Sequence, residues 1–174
     1  MTSELAVTLK PSLPKSLPAP KEQFLMLDLA PATTALLATE KLTEVLSLSP
    51  EQIMPIPHMS PWMMGTYNWR GEILWLIDAS YLVGLTPLYQ QLQTTSGYTL
   101  VVMQFNTDGD RQTLGLVVNQ IGNIEKLSLD SLQSTFSANQ TRWEKFLRGY
   151  WLKPEGAIIA VLDSAAIWQE ISGF

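Results

Sequence analysis

The chain has 174 residues, 46% of them hydrophobic and 16% charged, with a formal net charge of −5 and no cysteine. That length fits one compact unit or two small lobes around a real core. The acidity argues against a non-specific polyanion binder, which needs a net basic face. The missing cysteine excludes a disulfide framework, a thiol nucleophile and a thiolate metal site.

Residues 1–20 carry Pro11, Pro14, Pro18 and Pro20 and write Ser-Leu-Pro twice. Prolines without backbone donors cannot join a central strand or helix, so this stretch is expected as a disordered tail before a folded unit spanning 21–174. Leu25, Leu27 and Leu29 then alternate with Phe24, Met26 and Asp28, which predicts a strand, and the spacer 31–34 leads into a second strand at 35–38. Leu42, Val45, Leu46 and Leu48 match the helical and the extended period equally imperfectly, so residues 40–48 stay open between the two.

Ser60 followed by Pro61 predicts a short helix, because proline at the first helical position gives up a donor that would be free anyway; Gly65 would end it. Residues 66–69 and 72–77 predict a hairpin around Arg70 and Gly71, glycine tolerating the positive φ of a tight turn. The unbroken apolar run 73–77 reads as a buried strand. Beyond a polar connector at 86–96, residues 98–105 and 112–118 predict a second hairpin turning at 106–110, with Asp-Gly at its centre. Thr141 and Glu144 have the spacing of a capping box. Trp143, Phe146, Leu147 and Tyr150 then fall at i, i+3, i+4 and i+7, which predicts one or two helical turns. A final helix should run through 163–172, buried at Ile167, Trp168 and Ile171.

One internal echo organises these elements. ILWLIDASYL (73–82) and IIAVLDSAAI (158–167) align without gaps, placing Asp78 on Asp163, and Ile121, Ile124 and Leu127 repeat the spacing of Leu42, Val45 and Leu48. The echo predicts two related β lobes, about 21–86 and about 87–174, each finished by a strand, an aspartate N-cap and a short helix; strands exchanged between the lobes are compatible with it.

No chemistry converges. The single histidine, His58, sits among prolines with no glycine-flanked serine elbow to serve, so a loop residue is expected. Asn106, Asp108 and Asp110 imitate the start of a calcium loop, but Arg111 stands where glycine is needed and Val117 where the bidentate glutamate belongs. No phosphate-binding glycine loop occurs. Arg142, Lys145, Arg148 and Lys153 interleave with Trp143, Phe146, Tyr150 and Trp151 as in single-strand binders, yet the helical period assigns those aromatics to a core. No catalytic residue, metal or cofactor is therefore expected, and nucleic acid is not. The longest apolar runs, 73–77 and 157–162, fall far short of the roughly 20 residues that span a bilayer. The N-terminus lacks a signal-peptide pattern, so a cytoplasmic protein without direct membrane insertion is expected.

Surface recognition remains. Arg70 in a tight turn beside Trp69 has the composition of an interface anchor. The stretch IPHMSPWMMGTYNWRGEILWLIDASYLVGL (56–85) resembles the signature of the CheW-like coupling-protein family through Ile56, Pro57, Pro61, Gly65, Asn68, Arg70, Gly71, Ile77, Asp78 and Gly84. The segment 42–45 is similar to the family's V-x-E-I and GLVVNQIGNI (115–124) to its second motif. The resemblance covers about residues 22–172. It implies a mainly β fold of two intertwined five-stranded SH3-like barrels with short helices. It also implies a non-enzymatic adaptor that binds the regulatory domain of a CheA-type histidine kinase and the cytoplasmic tip of a methyl-accepting chemoreceptor. Carried over by position, Leu42, Glu44 and Val45 would lie on the kinase face, and Gly65, Asn68 and Arg70 near receptor and kinase contacts. Trp69 replaces the usual leucine, Trp75 the usual proline, Ala79 the usual leucine and Asn119 the usual aspartate; Trp69 is added to the expected partner-binding set. By analogy, such divergence suits a phototaxis or type IV pilus pathway. The competing reading is an SH3-like module that binds peptides or nucleic acid without a kinase partner.

Overall fold

In the computed structural model, residues 19–92, 97–134 and 140–173 are described. The proposed tail up to residue 18 lies outside them. Strands β1 (Lys21–Ala30), β2 (Thr33–Ala38), β3 (Leu42–Leu48), β4 (Met63–Trp69) and β5 (Glu72–Asp78) lead into helix α1 (Ala79–Leu82). Strands β6 (Tyr98–Thr107), β7 (Asp110–Val118), β8 (Gln120–Ser128) and β9 (Leu132–Gln133) follow, then α2 (Arg142–Lys145), β10 (Leu147–Leu152), β11 (Ile158–Leu162) and α3 (Ser164–Ser172). The fold is mainly β, in two sheets, with strand orders β8-β1-β2-β11-β10-β9 and β3-β6-β7-β5-β4.

The order of strands shows how the echo is built. Each half of the chain sends its first two strands into the sheet of the other half: β1 and β2 join β8 to β11, while β6 and β7 join β3 to β5. The pairings repeat accordingly, since β5 lies parallel to β7 and β11 parallel to β2, with all other pairs antiparallel. A cut near residue 86 thus separates two sequence repeats but no two sheets.

Burial on both faces explains the apolar stretches of the inner strands β6 and β7, where 100–103 and 116–118 are wholly buried. Leu25, Leu27, Leu37, Ile77, Val101, Leu116, Phe146 and Leu162 share the core between the sheets. Leu48, Leu74, Leu76, Leu100 and Val117 fill the inside of the five-stranded sheet, and Phe24, Leu36, Leu127 and Val161 the inside of the six-stranded one. Neither sheet closes by a continuous hydrogen-bond ladder. In the five-stranded sheet the segment that follows β3 meets the edge strand β4 at one bridge, where Met54 N–H donates to Thr66 O and Thr66 N–H to Met54 O, both at 2.8 Å.

Local chemistry behaves as the residue types require in most places. Residues 42–48 are a strand whose inward and outward positions alternate. The Asp78 carboxylate caps α1 by accepting from Tyr81 N–H at 2.9 Å, and Asp163 caps α3 by accepting from Ala165 N–H at 2.9 Å. Arg70 and Gly71, with φ of 55° and 84°, make a two-residue hairpin turn, as do Asp108 and Gly109 with 51° and 88°. Thr141 and Glu144 form the capping box.

Four expectations fail, each for a reason of packing. The amphipathic helix over 143–150 stops after α2, because Phe146 enters the core and Leu147 starts β10 against β11. Ser60 and Pro61 open a turn, Met63 N–H donating to Ser60 O at 2.8 Å, and no helix. Gly65, expected as a helix end, lies inside β4 at a register shift. The run 73–77 is not wholly buried: Leu74 and Leu76 face the inside of their sheet and Ile77 the core between the sheets, while Ile73 is 73% and Trp75 39% exposed on the outer side.

Candidate partner-docking site

The β4–β5 hairpin brings three of the expected residues into one cluster. Trp69, the last residue of β4, points into the five-stranded sheet and is only 8% exposed. Its indole Nε1–H, which can only donate, reaches the Glu44 Oε2 of edge strand β3 at 3.0 Å. The same oxygen accepts from the Arg70 guanidinium at 2.9 Å. That guanidinium also lies over the Trp69 ring, 5.2 Å from its centroid, a distance at which the ring quadrupole attracts a cation. Because β3 and β4 are the two edges of their sheet, these contacts fasten one edge to the other.

Exposure divides the cluster by role. The Arg70 side chain is 69% exposed and that of Glu44 25%, so the cation faces solvent while the carboxylate sits behind it. A surface ion pair of this kind contributes at most about 1 kcal/mol to stability. Its value lies in holding the guanidinium in one place.

The other four expected residues fall differently. Val45 is exposed next to Glu44 on β3, and Leu42 is half-buried against the core between the sheets. Asn68 is exposed, but its Oδ1 accepts from Gly71 N–H at 2.9 Å and thereby fastens the turn. Gly65 is buried: a Cβ built there would stand 2.2 Å from Met54 O. The structure thus groups Glu44, Trp69 and Arg70, leaves Val45 beside them, and gives Gly65 and Asn68 work within the fold.

Exposed apolar side chains were not legible in advance. Ile73 and Trp75 stand on the outer side of β5, with Met54, Ile56 and Met59 exposed on the approach to β4. On the other sheet Ile121 and Ile124 are exposed along the edge strand β8. The echo of spacing with Leu42 and Val45 was the available signal for the last pair. By itself that spacing points to a repeat and not to a surface.

Elsewhere the residue types weighed for chemistry are engaged locally. Arg142 and Lys145 both pair with Glu170, Arg148 with Glu22 and Lys153 with Glu125. His58 lies in an exposed turn with φ 62°. Asn106 and Arg111 face each other as strand partners, so residues 106–111 form no ion-binding loop. Among the described residues no group of three or more His, Asp or Glu side chains is placed to hold a metal ion, and no helix is long and apolar enough to cross a membrane.

The comparisons with known proteins agree with one another. The family model for the CheW-like domain matches residues 23–172. Over 115 residues the chain is 25% identical to a probable chemotaxis protein CheW of Rhizobium etli, an alignment covering 66% of this chain and 68% of that protein. The crystal structure of the scaffolding protein TtCheW from Thermoanaerobacter tengcongensis superposes with a TM-score of 0.66 at 18% identity, covering 82% of this chain and 89% of that one.

Proposed function

From the premise that this chain belongs to the CheW-like domain family, we propose that it is a cytoplasmic, non-enzymatic adaptor coupling a chemoreceptor-type sensor to a CheA-type histidine kinase. One observation carries the reading to particular residues: Glu44, Trp69 and Arg70 converge at a hairpin tip, with the arginine presented to solvent on a fixed base. An ordered, outward-facing arginine over an aromatic ring is suited to anchoring a protein partner. Leu42 and Val45 extend that face along β3, and Asn68 keeps its turn in shape. Gly65 contributes by letting the Met54 segment lie flat on β4.

The kinase's regulatory domain and the receptor's cytoplasmic tip are the partners proposed, and a phototaxis or type IV pilus pathway is the setting that the substitutions Trp69 and Trp75 favour by analogy. An adaptor transmits a receptor's state only through contacts that differ between kinase-on and kinase-off geometries. The pairing of Arg142, Lys145, Arg148 and Lys153 with carboxylates weighs against the alternative of an SH3-like module for nucleic acid, which needs an unneutralised basic track.

Calorimetric titration of the full chain with the purified regulatory domain of a CheA-type kinase, and separately with a receptor-tip helical hairpin, tests the reading. Saturable binding that Arg70→Ala and Glu44→Ala weaken while the fold stays intact is the expected result. Absence of binding to either partner, or tight binding to oligonucleotides instead, would overturn it.

A further inference from the structure

The two sheets carry the same closing device with one residue exchanged. In the six-stranded sheet, Lys153 follows β10 and closes its hairpin by donating its N–H to Ala157 O at 2.8 Å. Its ammonium reaches Glu125 on the edge strand β8 at 3.0 Å. In the five-stranded sheet the corresponding hairpin position is Trp69, paired with Glu72, and its indole N–H reaches Glu44 on the edge strand β3 at 3.0 Å. The two glutamates open matching pentapeptides, EVLSL and EKLSL.

The exchange of lysine for tryptophan changes what each clasp shows to solvent. Lys153 neutralises Glu125, is only 16% exposed along its side chain, and has Glu155 at 3.7 Å. Pro154 follows it, so that clasp presents no cation at the next position. An indole donates a hydrogen bond without a charge. Glu44 therefore keeps a charge to satisfy, and Arg70, the next residue, satisfies it from outside with a side chain 69% exposed. A guanidinium has five N–H donors, so Arg70 retains donors beyond the one that Glu44 takes.

We infer that Trp69 is a positioning residue: its N–H holds the Glu44 carboxylate and its ring backs the guanidinium, so that Arg70 is offered in one orientation to a carboxylate on a protein partner. Trp69 lies beneath the contact and not in it. What it contributes is preorganisation, the ordering of a flexible cation before binding and not during it. The partner arm of this inference rests on the adaptor reading; the ordering of Arg70 in the free protein does not.

The test uses the full chain, with Trp69→Phe, which keeps a ring but loses the N–H, and Trp69→Leu, which loses both. Arg70→Ala and the double variant Trp69→Phe/Arg70→Ala complete a cycle, and thermal unfolding identifies variants that keep the fold. If Trp69→Leu does not fold, Trp69→Phe carries the test. The probe is the purified regulatory domain of a CheA-type kinase, and ¹⁵N relaxation of the Arg70 guanidinium reports order in the free protein. Trp69→Phe is expected to loosen Arg70 and to weaken binding about fivefold, the share of one hydrogen bond, yet to add nothing in the Arg70→Ala background. Equal weakening in both backgrounds, or unchanged Arg70 order in Trp69→Phe, overturns the positioning role. Unchanged affinity in Arg70→Ala overturns the docking site of the adaptor reading instead, while the relaxation measurement still decides the role of Trp69.

Discussion

Replacing Gly65 by alanine separates a structural role from a binding role at one of the expected partner residues. The added Cβ would stand 2.2 Å from Met54 O, 2.8 Å from Met54 C and 2.9 Å from Pro55 Cα. All three are backbone atoms, so no side chain can swing away. The φ of 141° adds a second penalty, since that region belongs almost wholly to glycine. Backbone strain of about 1–3 kcal/mol and overpacking of about 1–3 kcal/mol give an expected loss of roughly 2–6 kcal/mol. Gly71→Ala is the internal control. It has a φ of 84° with nothing within 4 Å of the built Cβ, so it should lose only the conformational part, about 1–2 kcal/mol. In urea, with a slope of about 2 kcal/mol per molar, a 3 kcal/mol loss moves the midpoint down by about 1.5 M. Hydrogen exchange localises the damage, because the reciprocal Met54 and Thr66 amide bonds must part to make room. Equal midpoints for Gly65→Ala and Gly71→Ala, or unchanged protection at Met54 and Thr66, would refute the reasoning.

Along β5, Leu74→Ala at 1% exposure should cost about 2–5 kcal/mol, whereas Ile73→Ser at 73% exposure should stay within about 0.5 kcal/mol; denaturant titration of both checks the strand's orientation. Burial holds the Asp78 carboxyl above its ordinary value of 3.8 against the pull of the Tyr81, Leu88 and Ser80 N–H groups. Its stabilising contribution is therefore fully present below the unfolded value and is lost as pH rises through the folded one. Asp78→Asn removes one of the two carboxylate oxygens that accept from Tyr81 and Leu88. It should cost about 1–3 kcal/mol in acid, and the cost should shrink as pH rises, measured by unfolding across that range. The Glu125 hydrogen bond and charge raise the Lys153 pKa above 10.5, so this clasp helps below that value and fades as pH climbs through the folded one. Lys153→Met should remove that alkaline component and reduce the fall of the melting temperature with added salt.

Several parts of this fold were readable because they depend on near neighbours in the chain. Asp78 and Asp163 cap helices since a carboxylate there meets free N–H groups two or three residues on. Arg70-Gly71 and Asp108-Gly109 turn because glycine permits positive φ. The helix expected over 143–150 does not form for the opposite reason. Its apolar spacing is real, but Phe146 is buried and Tyr150 partly covered by strands distant in sequence, and pairing with β11 outweighs a helical period only two turns long. At the site, Arg70 was identifiable from its turn. The partnership of Glu44 with Trp69, separated by 25 residues, was not.

By itself the sequence determined the repeat, the caps and the hairpin turns, because each follows from residue type and short spacing. It also carried the family motif. The exchange of strands was decided only in three dimensions, since β1 and β2 satisfy their hydrogen bonds and apolar faces against β8 and β11 from the far end of the chain. Tertiary structure likewise decided which apolar residues stay outside, leaving Ile73 and Trp75 in solvent within a run that looked uniformly buried. It alone brought the two edges of a sheet close enough for Glu44 to hold Trp69 and Arg70. A carboxylate's partners are set by where the backbone returns, and local spacing carries no record of that return.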